Sequence, residues 1–112
     1  MSLLVSHHLL LCATSKKASC CDYLIGNASW ERLKKLLKEL DLENPNRSSG
    51  IVLRSKVDCL RICNDGPILL IWPDGIWYGG VTPKRIELII HEHLVKGRQL
   101  EEWIIQRTDK PL

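Results

Sequence analysis

The sequence predicts an α/β fold, a mixed four-stranded sheet with two main helices, and three observations carry that prediction. Short runs at His8–Cys12, Ile51–Lys56 and Pro67–Trp72 have strand length, the first and last strongly apolar and the middle one alternating. Two stretches, around Trp30–Leu40 and Ile86–Leu94, repeat apolar residues at helical spacing instead. Between apolar runs stands Pro73-Asp74-Gly75, whose fixed proline φ and permissive glycine mark a tight turn.

In chain order, His8–Cys12 reads as a buried strand that opens into a polar, irregular stretch from Cys12 to Ala28. Ser29 is an N-cap candidate and Glu31 suits the positive end of a helix, on which Trp30, Leu33, Leu36, Leu37 and Leu40 form an apolar stripe. Asn44–Gly50 is a turn or short connection. Ile51–Lys56 then alternates as a second strand leading to the loop Asp58–Gly66. The run Pro67–Trp72 has no polar side, as expected of a central strand buried on both faces. With Ile76–Tyr78 it makes an antiparallel hairpin around the Pro73-Asp74-Gly75 turn. Thr82-Pro83 starts a second helix, on which Ile86, Ile89, Ile90, His93 and Leu94 share one face and which Gly97 can end in a left-handed conformation. A short C-terminal segment follows around Trp103–Gln106. Strand, crossover helix, parallel strand, hairpin and last helix give the outline of a thioredoxin-like layer.

A chain of 112 residues is enough for a single domain, 1–112, with one core. At 45% hydrophobic and 26% charged residues it has the composition of a soluble globular protein. An odd count of five cysteines beside strong apolar periodicity favours a reducing cytoplasm over a secreted disulfide framework. The run Leu3–Leu11 before Cys12 lacks the basic flank and the small residue that a cleaved leader requires, and no stretch reaches membrane-spanning length. The net charge of +3 is uneven: residues 1–56 hold nine basic against five acidic residues, residues 57–112 seven against eight. Lys16, Lys17, Arg32, Lys34, Lys35 and Lys38 supply most of the excess, either as a solvated helix face or as a docking surface for an acidic partner. Nucleic-acid binding is disfavoured, because no aromatics interleave with these charges and no binding motif is present.

The cysteines carry the chemistry. Cys12, Cys20, Cys59 and Cys63 fall in two loops that adjoin predicted strand ends, where side-by-side strands allow them to converge, and Cys21 adjoins the second. Thiolates select soft metals, so the residues alone leave a 2Fe-2S cluster, a four-thiolate zinc site and thiol redox chemistry in competition. The spacings are wider than the two-residue knuckle common in structural zinc sites, and Cys-x-x-Cys at a helix start is absent. Cysteines serving only as small buried hydrophobes belong in apolar elements rather than in polar loops.

Leu11-Cys12, Ser19-Cys20, Cys59-Leu60-Arg61-Ile62-Cys63, Gly66-Pro67, the run from Trp72 to Pro83 and His91-Glu92-His93-Leu94 together resemble the thioredoxin-like 2Fe-2S ferredoxins. The resemblance spans roughly residues 8–97 and is most specific from Cys59 to Pro83. It implies one 2Fe-2S cluster near the surface, held by Cys12, Cys20, Cys59 and Cys63, a homodimer, and redox protein partners in place of any other substrate. The first loop is shorter than in many members, and the doublet Cys20-Cys21 stands where many have a single cysteine. Adjacent residues of extended chain point in different directions, so one of the two reaches the iron. The Ser-Cys pattern selects Cys20 and leaves Cys21 as a spare or a substitute.

Arg61, between two ligands, is the candidate electrostatic tuner or partner contact, with a solvated loop arginine as the alternative. His91 and His93, two apart, do not share a helix face, and His93 on the apolar stripe reads as a core-edge residue. His7 and His8 belong to no recognisable constellation, and Trp30, Trp72, Trp77 and Trp103 read as packing or dimer-contact residues. No phosphate-binding loop, nucleophile triad or carboxylate pair is placed for catalysis, so an electron-transfer protein is expected rather than an enzyme.

Overall fold

A computed structural model describes residues 4–12, 23–57 and 66–108. Five strands, β1 (Val5–Cys12), β2 (Ile51–Val57), β3 (Leu69–Trp72), β4 (Ile76–Tyr78) and β5 (Ile104–Arg107), form one sheet in the order β2-β1-β3-β4-β5. β1 and β2 run parallel, joined across helix α1 (Tyr23–Glu39), and the remaining pairings are antiparallel. The mixed α/β architecture agrees with the sequence, with one strand more than expected.

Register explains the core. Leu9, Ile71 and Ile76 lie opposite one another in one row across three strands, and Leu11, Leu69 and Tyr78 in the next. All six are buried, because alternate residues of each strand share the face that the helices cover. Trp30, Leu33, Leu36 and Leu37 of α1 and Ile86, Ile89 and Ile90 from the second helical region complete the cluster. The opposite sheet face carries His8, Leu10, Leu53, Ser55, Trp72 and Trp77, all only half-buried.

Three sequence expectations are corrected. Helix α1 begins at Tyr23, and Ser29 is no cap: it is fully buried within the helix and its hydroxyl donates to the Val81 carbonyl at 2.6 Å. Among the described side chains of α1 the buried stripe starts at Gly26, where a residue without a side chain leaves no trace in hydropathy. β1 reaches back to Val5, three residues before the expected start. The C-terminal segment is a fifth strand: after a 3₁₀ turn at Glu101–Trp103, β5 pairs with β4, and Gly79 N–H donates to Trp103 O at 3.0 Å. Three of its four residues are exposed, so the edge strand has no apolar alternation to read.

Other expectations hold. Gly75, at φ +68°, supplies the left-handed position of the β3–β4 turn. Helix α2 (Pro83–Ile89) is capped by Thr82, whose hydroxyl accepts from Arg85 N–H at 3.4 Å, with Pro83 at its start. It continues as a π-helical turn over Ile90–Val95 and closes where Arg98 N–H donates to Glu92 O at 2.7 Å, past Gly97 at φ +74°.

Candidate metal centre

Cys12 ends β1, buried at 1% exposure. Two hydrogen bonds fix it to Ile68: its own N–H donates to Ile68 O at 3.1 Å, and Ile68 N–H donates to Cys12 Sγ at 3.0 Å. Its partner in the β1–β2 register is Val57. Residues 12, 57 and 68 therefore meet at one end of the sheet. From there the chain departs toward Cys20 and Cys21, departs again toward Cys59 and Cys63, and returns through Gly66-Pro67. The strand ends that flank both cysteine stretches thus lie side by side.

Cys20, Cys21, Cys59, Cys63 and Arg61 lie outside the described residues, as do Lys16 and Lys17. Among the described residues no group of three or more His, Cys, Asp or Glu is placed to hold a metal. What the described part supplies is one sulfur donor, immobilised and facing an amide N–H. That geometry fits an anionic thiolate ligand, because an N–H aimed at sulfur stabilises negative charge there.

The basic excess is more local than its composition suggests. Arg32 pairs with Glu87 of α2, and Lys34 pairs with Glu31 at 3.0 Å, while Lys35 and Lys38 make no ion pair among the described residues. A second group appears on β2. Leu9 and Leu11 of the helix-facing side lie opposite Arg54 and Lys56, so both cations reach over the Trp30 ring, at 5.1 and 5.7 Å from its centroid. Arg54 also donates to Glu43 at 3.1 Å, leaving exposed Lys56 one residue before the strand end. Trp30 is thus core packing on one side and a platform for cations on the other.

The structure also joins residues that the sequence left apart. His93 is buried, with Nε2 2.5 Å from Asp74 Oδ2 and Nδ1 2.7 Å from the Tyr78 hydroxyl. His7 approaches the same carboxylate at 3.7 Å. Burial pushes the His7 imidazole below its ordinary 6.5, against the pull of Asp74 and with help from His93 and Arg47. Burial pushes the Tyr78 phenol above its ordinary 10.0. A signal for His7 existed: it alternates with Leu9 and Leu11 and so belongs to the core-facing side.

No model of a known protein family matches the chain. A 2Fe-2S ferredoxin from Clostridium pasteurianum is 29% identical over 92 residues, covering 81% of this chain and 87% of that one. A second, from Aquifex aeolicus, is 36% identical over 53 residues, 47% of this chain and 48% of its own. A putative 2Fe-2S ferredoxin from Priestia megaterium is 29% identical over 104 residues, 93% and 73% of the two chains. In three dimensions the chain superposes on a thioredoxin-like [2Fe-2S] ferredoxin from Aquifex aeolicus with a TM-score of 0.71, at 20% identity and 96% coverage of both chains.

Proposed function

We propose that this chain, a member of the thioredoxin-like 2Fe-2S ferredoxin family, binds one 2Fe-2S cluster through Cys12, Cys20, Cys59 and Cys63 and carries single electrons between redox protein partners. The observation that carries the reading is the seat of Cys12: a sulfur held between strand ends and given an N–H by Ile68, where both cysteine stretches leave the sheet. When bound, the cluster supplies reversible one-electron chemistry.

The chain's own residues set the conditions for that chemistry. Four thiolates and a reducible core are strongly anionic, so each donor near sulfur favours the reduced state. Ile68 N–H supplies such a donor, held in place by the reciprocal bond from Cys12 N–H. Arg61, between Cys59 and Cys63, adds a positive charge in the same sense. Lys35, Lys38 and Lys56 offer the docking charge for an acidic partner, whose approach they speed by long-range attraction. The working unit of this reading is a homodimer, as the family resemblance implies, in the reducing cytoplasm that the odd cysteine count favours; no described helix is long and apolar enough to cross a membrane.

Purification without oxygen, followed by iron and sulfide analysis and a visible spectrum, tests the reading. A reddish-brown protein with about two irons and two sulfides per chain, bleached by dithionite, is expected. A colourless protein with stoichiometric zinc would overturn it. Sedimentation at the monomer mass of 12.8 kDa would remove the homodimer alone.

A further inference from the structure

At the end of β1 opposite Cys12, a chain of hydrogen bonds ties four elements together, and its direction can be worked out from chemistry. The Asp74 carboxylate can only accept, so His93 Nε2 at 2.5 Å carries a proton and donates. Neutral His93 then has a bare Nδ1, which accepts the Tyr78 hydroxyl proton at 2.7 Å. The Tyr78 oxygen is left to accept, and it does so from Leu100 N–H at 3.1 Å. The donors run in one sense: Leu100 to Tyr78, Tyr78 to His93, His93 to Asp74. Tyr78 is fully buried and His93 4% exposed, so water does not stand in for a lost partner.

We propose that the Asp74–His93–Tyr78 relay is a proton-operated latch: neutral His93 holds the Leu100 end of the C-terminal segment on the sheet, and protonated His93 releases it. A proton on Nδ1 turns the acceptor facing Tyr78 into a donor. The phenol oxygen then faces two N–H groups, while its own proton has lost its acceptor in a buried site. Asp74 keeps its bond to Nε2 in both states, so the change falls on the side of Tyr78 and Leu100. Leu100 leads directly into the Glu101–Trp103 turn and β5, an exposed edge strand held mainly by β4.

The groups that bear on His93 come from every neighbouring element. His7 of β1 stands edge to face with it, ring centroids 6.3 Å apart, and within 3.7 Å of Asp74. His7 Nδ1 shares Ser6 Oγ with Arg47. On the helical turn itself, Glu92 is engaged by Lys96 and Arg98. From the C-terminal segment, Glu101 and Arg107 pair at 2.5 Å and both act on Tyr78. His7, whose imidazole burial holds below its ordinary value, is the second ring beside Asp74, and the His7→Gln variant separates its proton from that of His93.

The test needs no electron-transfer assay. Imidazole ¹⁵N shifts of the purified protein at about pH 8 should show Nε2 of His93 protonated and Nδ1 bare; the reverse tautomer overturns the relay. Amide exchange, expressed as protection factors, is then compared between about pH 8 and about pH 5. Leu100 should lose protection about tenfold, the order of one buried hydrogen bond, while amides of β1 and β3 change less. His93→Gln, which cannot take a proton, should abolish that loss, His7→Gln should retain it, and Tyr78→Phe should leave Leu100 poorly protected at both values. A Leu100 protection that is flat with pH in the parent protein, or a loss that survives His93→Gln or vanishes in His7→Gln, overturns the proposal.

Discussion

At the scale of single residues, the centre depends on how sulfur is held. Cys12 N–H donates to Ile68 O and Cys12 Sγ accepts from Ile68 N–H at a buried strand end, so backbone register fixes the sulfur of this proposed ligand. Cys12→Ser should keep the fold and lose or strongly weaken the cluster, read as a fall in iron and visible absorbance at unchanged circular dichroism. The doublet needs separate serine changes: Cys20→Ser should lose the cluster and Cys21→Ser should keep it, and the opposite pattern assigns Cys21 as the ligand. Arg61→Glu replaces a positive with a negative charge between two proposed ligands, Cys59 and Cys63. The expected results are a lower midpoint potential and slower transfer to an acidic partner, and an unchanged potential with unchanged kinetics rejects the role.

At the scale of elements, the least visible contact is the most instructive. Ser29 crosses from α1 to the Val81 carbonyl, beside the start of α2, and lets the two helices settle on the same sheet face. Ser29→Ala leaves that buried carbonyl without its donor and should destabilise by about 1–3 kcal/mol, slightly offset by alanine's better helix propensity. A urea midpoint equal to that of the parent would reject the role. The sequence suggested a cap because serine before an acidic residue is a common helix start; tertiary packing through Gly26 and Ser29 wins here, and small residues are silent in hydropathy. β5 was illegible for a related reason. Three of its four residues face solvent, and its end is fixed by the next residue, Thr108, whose N–H donates to Gly75 O at 2.7 Å and whose hydroxyl accepts from Trp77 Nε1 at 2.7 Å. By contrast β3, the hairpin turn and the Thr82-Pro83 helix start were legible, because each is dictated by local chemistry. Cys12 was readable as a candidate ligand by residue type, whereas the Ile68 N–H that faces its sulfur depends on strand register.

For the whole molecule, the sheet separates two poles: the cysteine end at Cys12, Val57 and Ile68, and the relay end at His7, Asp74 and His93. Charge near the first should govern partner kinetics and titration at the second should govern stability. Lys56→Glu, one residue before the β2 end that adjoins Cys12, should slow association with an acidic partner and flatten its salt dependence, leaving the visible spectrum unchanged; a retained rate excludes that surface. Beside the His93 latch, two groups shape the pH profile of stability. Folded His7 titrates below 6.5, so the unfolded chain takes up a proton that the folded one refuses. Stability is then full above about pH 6.5 and falls as pH drops through the lower folded value. Folded Tyr78 titrates above 10.0, so the unfolded chain gives up its proton first; that stability is full below about pH 10 and is lost as pH rises through the higher folded value. Thermal midpoints should therefore form a plateau between the two limits. His7→Gln should soften the acid edge and Tyr78→Phe the alkaline edge, each leaving the other in place. If His7→Gln moved only the alkaline edge, burial of His7 would not be the source of the acid sensitivity, and the two-pole separation of charge and stability would fail with it.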